Sequence, residues 1–318
     1  MLSISKSEII EMVPMSDAIV AMGQAFSDFS NGKFIVPDRI SMEIDNKNAT
    51  VLIMPAYRTK GKYFTTKVVT VFQNTIADRS SILSSSVSVF DSSNGDMVAT
   101  MDGESITSLR TGAASGLATK LLAKKNAKVA AIFGTGVQAH TQLEAIISSR
   151  PINKIFVFGR NLDSIEKFSS HISEIYSLSI VPGTLNDLNS VDIICTATPS
   201  TEFLFEHKHL KPGVHINAIG SFKPFMREIP NGTIAEAKVV VDSLTACKKE
   251  AGDLILASKE TSWSFDDITS EIGQIANGDT SGRANDNDIT IFKSVGLGFQ
   301  DLVIAELVLD RLNSLTFT

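Results

Sequence analysis

A chain of 318 residues outgrows the roughly 250 to 300 at which a single hydrophobic core stops enlarging, so two domains are expected. With 43% hydrophobic and 20% charged residues, the composition is that of an ordinary globular protein. A net charge of −6 without any Lys/Arg run argues against a nucleic-acid partner held on a basic surface.

The N-terminal stretch MLSISKSEIIEM carries Glu8 and Glu11 where a signal peptide needs an unbroken apolar core, and no apolar run approaches the length of a membrane span. A cytoplasmic location is therefore the expectation. Cys195 and Cys247 lie beside apolar segments without a CxxC partner, so reduced buried thiols are expected, with no disulfide and no metal site.

Residues 1 to 30 read as helix. In MSDAIVAMGQAFSDFSNG, Ser16 or Asp17 is a candidate cap, apolar residues recur at helical spacing, and Asn31-Gly32 supplies the stop. From residue 33 to about 103 the texture turns to β. VLIMPAY, KYFTTKVVTVF and SSSVSVFD are rich in Val, Thr and aromatics and are separated by turn residues, which predicts an antiparallel sheet. SITSLRTGAASGLATKLLAKK follows as a helix of small residues suited to close packing.

From residue 127 the rhythm becomes strand, helix, strand. KVAAIFG precedes a helix at 137 to 149, KIFVFGR precedes another, and LSIVPG, VDIICTATP, GVHINAIG and KVVVDS follow as short apolar runs. Such alternation predicts a parallel sheet covered by helices on both faces. The tail from DITIF onward is expected to leave this domain and return to the first. The predicted fold class is α/β, with a Rossmann dinucleotide-binding domain (119–289) inserted into an α+β domain (1–118 with 290–318).

GTGVQA has the form G-x-G-x-x-A. Gly134 would allow the sharp turn out of the strand, Gly136 would remove the side chain that blocks a pyrophosphate, and Ala139 would let helix and sheet approach. The N–H groups of Val137 and Gln138 at the helix start would then face phosphate oxygens. A plain tight turn is the alternative, but the apolar strand before it and the helix after it favour a nucleotide. The next strand ends in Gly159-Arg160-Asn161, with no carboxylate to hold the ribose 2′-OH of NAD. Arg160 suits a 2′-phosphate, so NADPH is expected ahead of NADH, a solvated loop arginine being the alternative. Thr196 or Thr198 in CTATPS, at a strand end, would line the nicotinamide side. His140, just past the turn, is read as facing solvent or a neighbouring subunit, not as an acid.

MDGESITSLRTGAASGLATKLLA followed by VAAIFGTGVQAHTQ resembles the ornithine cyclodeaminase/mu-crystallin family, as do KVVTVFQN at 67–74, AIGSFKPFMREIP at 218–230 and TIFKSVGLGFQD at 290–301. The resemblance implies a substrate-binding domain that also forms a homodimer, and reactions that pass through an imine beside a carboxylate. By resemblance, Arg39, Lys67 and Arg110 hold the substrate carboxylate, and Arg110 and Thr111 border the dinucleotide. Two guanidinium groups can fix a carboxylate in one orientation, and a lysine beside it can protonate the imine nitrogen. Lys67 is therefore the expected catalytic residue. Ser294, Val295 and Gly296 match the family's closing turn over nicotinamide and substrate, with helix packing as the alternative reading of the glycines.

One departure matters. Where cyclodeaminases and the archaeal alanine dehydrogenase resemble one another in an Asp thought to handle the amine, this chain has Phe222. Phe neither accepts a proton nor pairs an ammonium, which fits an apolar ring that already carries its C=N bond; a register shifted by one, with Ser221 or Lys223 supplying the polar group, is the alternative. The expected function is an NAD(P)H-dependent reductase of cyclic imino acids, Δ1-pyrroline-2-carboxylate to L-proline, with Δ1-piperideine-2-carboxylate as a further substrate. The alternatives are ornithine cyclodeaminase or alanine dehydrogenase, and a non-catalytic NADPH- and acid-binding protein like mu-crystallin.

Overall fold

The computed structural model describes residues 1–47, 49–73 and 81–316. Asn74, the last residue of KVVTVFQN, and residues 317–318 of the returning segment lie outside them. The chain divides into two units, Met1–Arg110 with Gly296–Thr318, and Thr111–Val295.

The first unit begins with β1 (Leu2–Ile4), α1 (Lys6–Met12) and α2 (Met15–Ser30), so residues 1–30 open on a short strand and contain two helices where continuous helix was expected. Ala18, Ile19, Met22, Ala25 and Phe26 form the buried stripe of α2, the spacing a 3.6-residue period requires. Pro14 occupies the cap position in place of Ser16 or Asp17, and Asp17 sits in the first turn, where the helix dipole favours an acid. The expected stop holds: Asn31 ends the helix, and Gly32 at φ 69° donates to the Phe29 carbonyl at 3.0 Å.

The chain continues through β2 (Phe34–Ile35), β3 (Ile40–Ile44), β4 (Ala49–Arg58), β5 (Tyr63–Gln73), β6 (Ser81–Asp91) and β7 (Met97–Asp102) into α3 (Gly103–Leu122). The sheet order is β1-β7-β6-β5-β4-β2, with β3 also on β4; every pair is antiparallel except β1 with β7. Pro55 sits inside β4 without breaking it. On that edge β2 pairs with Tyr57 and Arg58 and β3 with residues 49–53, so the missing N–H falls in the gap between them. Along β5, Tyr63, Thr65 and Lys67 are buried on one face. The C-terminal helix (Gly298–Thr316) packs on β4 and β5, and its Phe299 meets the rings of Phe26, Phe29 and Phe34 at 5.2, 4.7 and 5.1 Å.

The second unit carries β8 (Val129–Phe133), α4 (Val137–Ser149), β9 (Lys154–Phe158), α5 (Leu162–Tyr176), β10 (Ser179–Pro182), β11 (Ile193–Thr196) and β12 (His215–Ala218). It ends with α6 (Asn231–Glu236), β13 (Lys238–Val241), α7 (Leu244–Glu250), α8 (Gly252–Glu260), β14 (Ser270–Glu271), α9 (Ile272–Asn277) and β15 (Thr290–Lys293); the C-terminal helix is α10. The order β10-β9-β8-β11-β12-β15-β13-β14 is parallel throughout. Strand order reverses beside β8, and that reversal opens a crevice at the strand ends where ligands of such sheets bind.

The division differs from the expected one at both crossings. It falls inside α3 at Arg110/Thr111, not at 118, and at Val295/Gly296, not at 289. Thr290–Lys293 stays with the second unit because it pairs with β12 on one side and β13 on the other. Arg150 and Arg283 cap the end of α3: Arg150 donates to the carbonyls of Lys120, Ala123 and Lys124, and Arg283 to that of Leu122.

Candidate active site

In the first unit, the alternation of β5 turns Lys67 to the buried face, where it is 1% exposed. A buried ammonium must find partners. Asp301, on the first turn of α10, accepts from its Nζ at 2.9 Å through Oδ1 and lies at 2.8 Å through Oδ2; Thr107 Oγ1 on α3 is at 3.2 Å. Arg110, one turn along α3, sets Nε at 3.3 Å from Asp301 Oδ1 and donates from Nη1 to Gln300 Oε1 at 2.9 Å. Gln300 Oε1 also accepts from the Leu297 N–H at 3.0 Å. Arg39, between β2 and β3, donates from Nη2 to the Gly296 carbonyl at 2.7 Å.

Gly296 is the joint of this arrangement. Its φ is 80°, and a Cβ there would stand 2.3 Å from Arg110 Nη1. Arg39, Lys67 and Arg110 are thus brought to one place, linked through Gly296, Gln300 and Asp301. Burial pushes the Lys67 ammonium down to about 8; Asp301 opposes that shift, and the charges of Arg110 and Arg39 add to it. Such a cluster can fix a carboxylate and, at neutral pH, still present a protonated amine of weakened basicity.

The sequence alone gives Gln300, Asp301 and Thr107 no role, although FQD closes the segment TIFKSVGLGFQD. An acid in the first turn of the apolar helix GFQDLVIAELVL is a readable sign of a buried charge. What it pairs with is not readable, since Lys67 lies 234 positions away.

In the second unit, the glycine turn has the geometry the motif requires. Gly134 has φ 110°, and a Cβ would lie 2.6 Å from the Ala197 carbonyl oxygen. Gly136 caps α4, and a Cβ built on it meets nothing within 4 Å, so its missing side chain leaves open space at the helix start. Ala139 is fully buried against the sheet. The first N–H groups of a helix lack intrahelical acceptors, so Val137 and Gln138 offer donors there. These features fit a dinucleotide pyrophosphate.

The other expected cofactor residues divide. Gly159 follows β9, where a Cβ would stand 3.2 Å from Ile165, Arg160 is exposed, and Thr111 is buried on α3. Asn161 caps α5, its side chain accepting from the Ser164 N–H. Thr196 is fully buried and donates its hydroxyl to Glu228 Oε2 at 2.8 Å, so here it braces the strand end. Glu228 also accepts from the Thr198 N–H and hydroxyl, both at 2.7 Å, and from the Gly220 N–H at 2.8 Å. Burial and the charge of Asp253 push its carboxyl up. Asp253 in turn binds Lys293 Nζ at 3.0 Å and the N–H groups of Glu228 and Ile229. Asp242 Oδ2 accepts from the Ser294 hydroxyl and the Val295 N–H, both at 2.8 Å. These buried acids fix the strand ends and had no counterpart in the sequence reading.

Phe222 is 43% exposed on the turn after β12. His140, expected to face solvent or a neighbouring subunit, is half-buried, its ring 4.6 Å from Phe168 and 5.4 Å from His171. Burial, then the charge of His171, lowers its pKa. Both cysteines are free and buried, and burial raises both thiols well above their ordinary range.

The model of the ornithine cyclodeaminase/mu-crystallin family matches residues 2–315. A Δ1-pyrroline-2-carboxylate reductase of Bacillus cereus is 38% identical over 314 residues, 98% of this chain and 96% of that one. The ketimine reductase mu-crystallin of Mus musculus is 32% identical over 95% of this chain and 92% of its own. The solved structure of Thermococcus litoralis Δ1-pyrroline-2-carboxylate reductase in complex with NADH and L-proline superposes with a TM-score of 0.92 at 34% identity, covering 99% of this chain and 98% of that one. Fold, glycine turn and full-length similarity lead to one conclusion: the chain belongs to the ornithine cyclodeaminase/mu-crystallin family.

Proposed function

We propose that this chain is an NAD(P)H-dependent reductase that converts Δ1-pyrroline-2-carboxylate to L-proline. The observation that carries the reading is the meeting of Arg39, Lys67 and Arg110 around Asp301 and Gly296. The two guanidinium groups bind the substrate carboxylate and hold the ring in one orientation. Lys67 Nζ donates the proton that the imine nitrogen gains, which makes the adjacent carbon the better electrophile. With its pKa held near 8, the amine is protonated at neutral pH yet gives up its proton more readily than an ordinary lysine. Gly134, Gly136, Val137 and Gln138 seat the pyrophosphate, and Arg160 reads the far phosphate, which favours NADPH with NADH as the second choice. When bound, the nicotinamide supplies the hydride. Phe222 offers no base for an amine, which weighs against ornithine or alanine as substrate.

Δ1-Piperideine-2-carboxylate is a second substrate on this reading, supported by the similarity to a ketimine reductase. The homodimer expected from the resemblance is supported by the outer face of the seven-stranded sheet, where Ile40 and Met42 are more than half or half exposed beside Val51 and Ile53.

The test follows loss of NADPH and of NADH absorbance with the two cyclic imino acids and with pyruvate plus ammonia, and release of ammonia from ornithine supplied with the oxidised dinucleotide, in the wild type and in Lys67→Met. Turnover of the cyclic imino acids alone is expected, with kcat lowered by about 10²- to 10⁴-fold in the variant and dinucleotide affinity unchanged. Turnover of ornithine or alanine in preference, or full activity in the variant, contradicts the reading.

A further inference from the structure

Lys67 and Arg110 come from different elements, β5 and α3, and neither side chain orients the other. Both meet one carboxylate that is 1% exposed. It stands on the first turn of α10, a 19-residue helix whose positive end favours an anion, directly after the Gly296–Gly298 turn that carries the Arg39 contact. An ammonium has three N–H groups. The Asp301 carboxylate, at 2.9 Å through Oδ1 and 2.8 Å through Oδ2, and Thr107 Oγ1 at 3.2 Å hold those of Lys67 in a fixed direction.

We propose that Asp301 is the positioning residue of this site, its carboxylate aiming the Lys67 ammonium at the substrate nitrogen while holding the Arg110 guanidinium against the substrate carboxylate. The inference rests on the reductase reading for what the substrate is, but the link between Asp301 and Lys67 stands on the geometry of the first unit alone. The charged groups facing Lys67 are Asp301 from α10, Arg110 from α3 and Arg39 from the segment before β3. Of these only Asp301 favours the charged amine, so its removal leaves the two arginines and burial acting in one direction.

The experiment compares wild type, Asp301→Asn and Asp301→Glu. Trace labelling of amines with acetic anhydride, read by mass spectrometry across pH, gives the Lys67 midpoint without substrate or cofactor. The pH profile of kcat gives the same group during turnover. Asp301→Asn is expected to move both the midpoint and the basic limb of kcat down by about one pH unit or more. Asp301→Glu keeps the charge and displaces it by one methylene; its midpoint is expected to stay near that of the wild type while kcat falls about tenfold or more, with dinucleotide affinity retained. An unmoved midpoint and profile in the Asn variant overturn the proposal, as does full kcat in the Glu variant, which is the result if Asp301 only neutralises buried charge. Should Asp301→Asn fail to fold, the Glu variant decides alone. A wild type that turns over no cyclic imino acid defeats the reductase reading, while a displaced labelling midpoint in Asp301→Asn still upholds the tie to Lys67.

Discussion

Gly296 illustrates how much of the site depends on a single backbone position. Its carbonyl receives Arg39, its left-handed φ of 80° suits glycine, and the space a methyl group would take is filled by the Arg110 guanidinium at 2.3 Å. Gly296→Ala would force the arginine aside and add a backbone cost of about 1 kcal/mol or more. The expected outcome is a kcat/KM for the imino acid lower by about tenfold or more with dinucleotide affinity unchanged, measured by steady-state kinetics and by fluorescence titration of NADPH. The motif puts Gly296 in the site with helix packing as the alternative, because a glycine's φ cannot be read from its neighbours. Motifs mark Arg39, Lys67 and Arg110, and the fold gathers the three side chains. Asp301 and Gln300 were not assigned, since their roles depend on contacts across most of the chain.

At the scale of elements, period and punctuation made most of the fold legible. The strand VAAIF, the glycine turn and the helix Val137–Ser149 fall where the pattern places them, since a parallel strand buried on both faces has little choice but to be apolar throughout. Three features were not legible. The opening strand Leu2–Ile4 has no pattern of its own and exists because β7 lies beside it. The placement of β15 between β12 and β13 is a choice of neighbours, which periodicity does not encode. The buried acids Glu228, Asp242 and Asp253 hold strand ends through contacts that only the folded chain brings together. Gly134→Ala tests the glycine turn: with φ at 110° and a Cβ 2.6 Å from the Ala197 carbonyl, it should weaken NADPH binding by about tenfold or more while leaving the Arg39, Lys67 and Arg110 cluster intact. Equilibrium dialysis with NADPH measures it, and unchanged affinity counts against the phosphate seat.

For the molecule as a whole, acid stability should be governed in part by His215. Its ring is fully buried between Thr290 and Asn217, with Arg283 bonded to the same threonine, and its pKa falls to about 3, first through burial and then through the charge of Arg283. The unfolded chain takes up this proton below about 6.5 and the folded one does not until about 3, so stability is present above the unfolded value and is lost as pH falls through that window. His215→Gln should flatten the loss in the upper part of the window, above the ordinary carboxylate range, when urea denaturation is followed against pH. A slope identical to that of the wild type contradicts the assignment. Light scattering should give twice the chain mass if the outer sheet face is covered by a second copy, whereas a monomer at working concentration removes that proposal.

The central claim is that Arg39, Lys67 and Arg110 of the first unit hold an imino acid for reduction at the carbon next to its carboxylate. The most direct test supplies Δ1-pyrroline-2-carboxylate with NADPH deuterated at the transferring position of the nicotinamide and examines the product by NMR. The account predicts L-proline with one deuterium, at C2. Unlabelled proline, deuterium at any other carbon, or cofactor left reduced would contradict it.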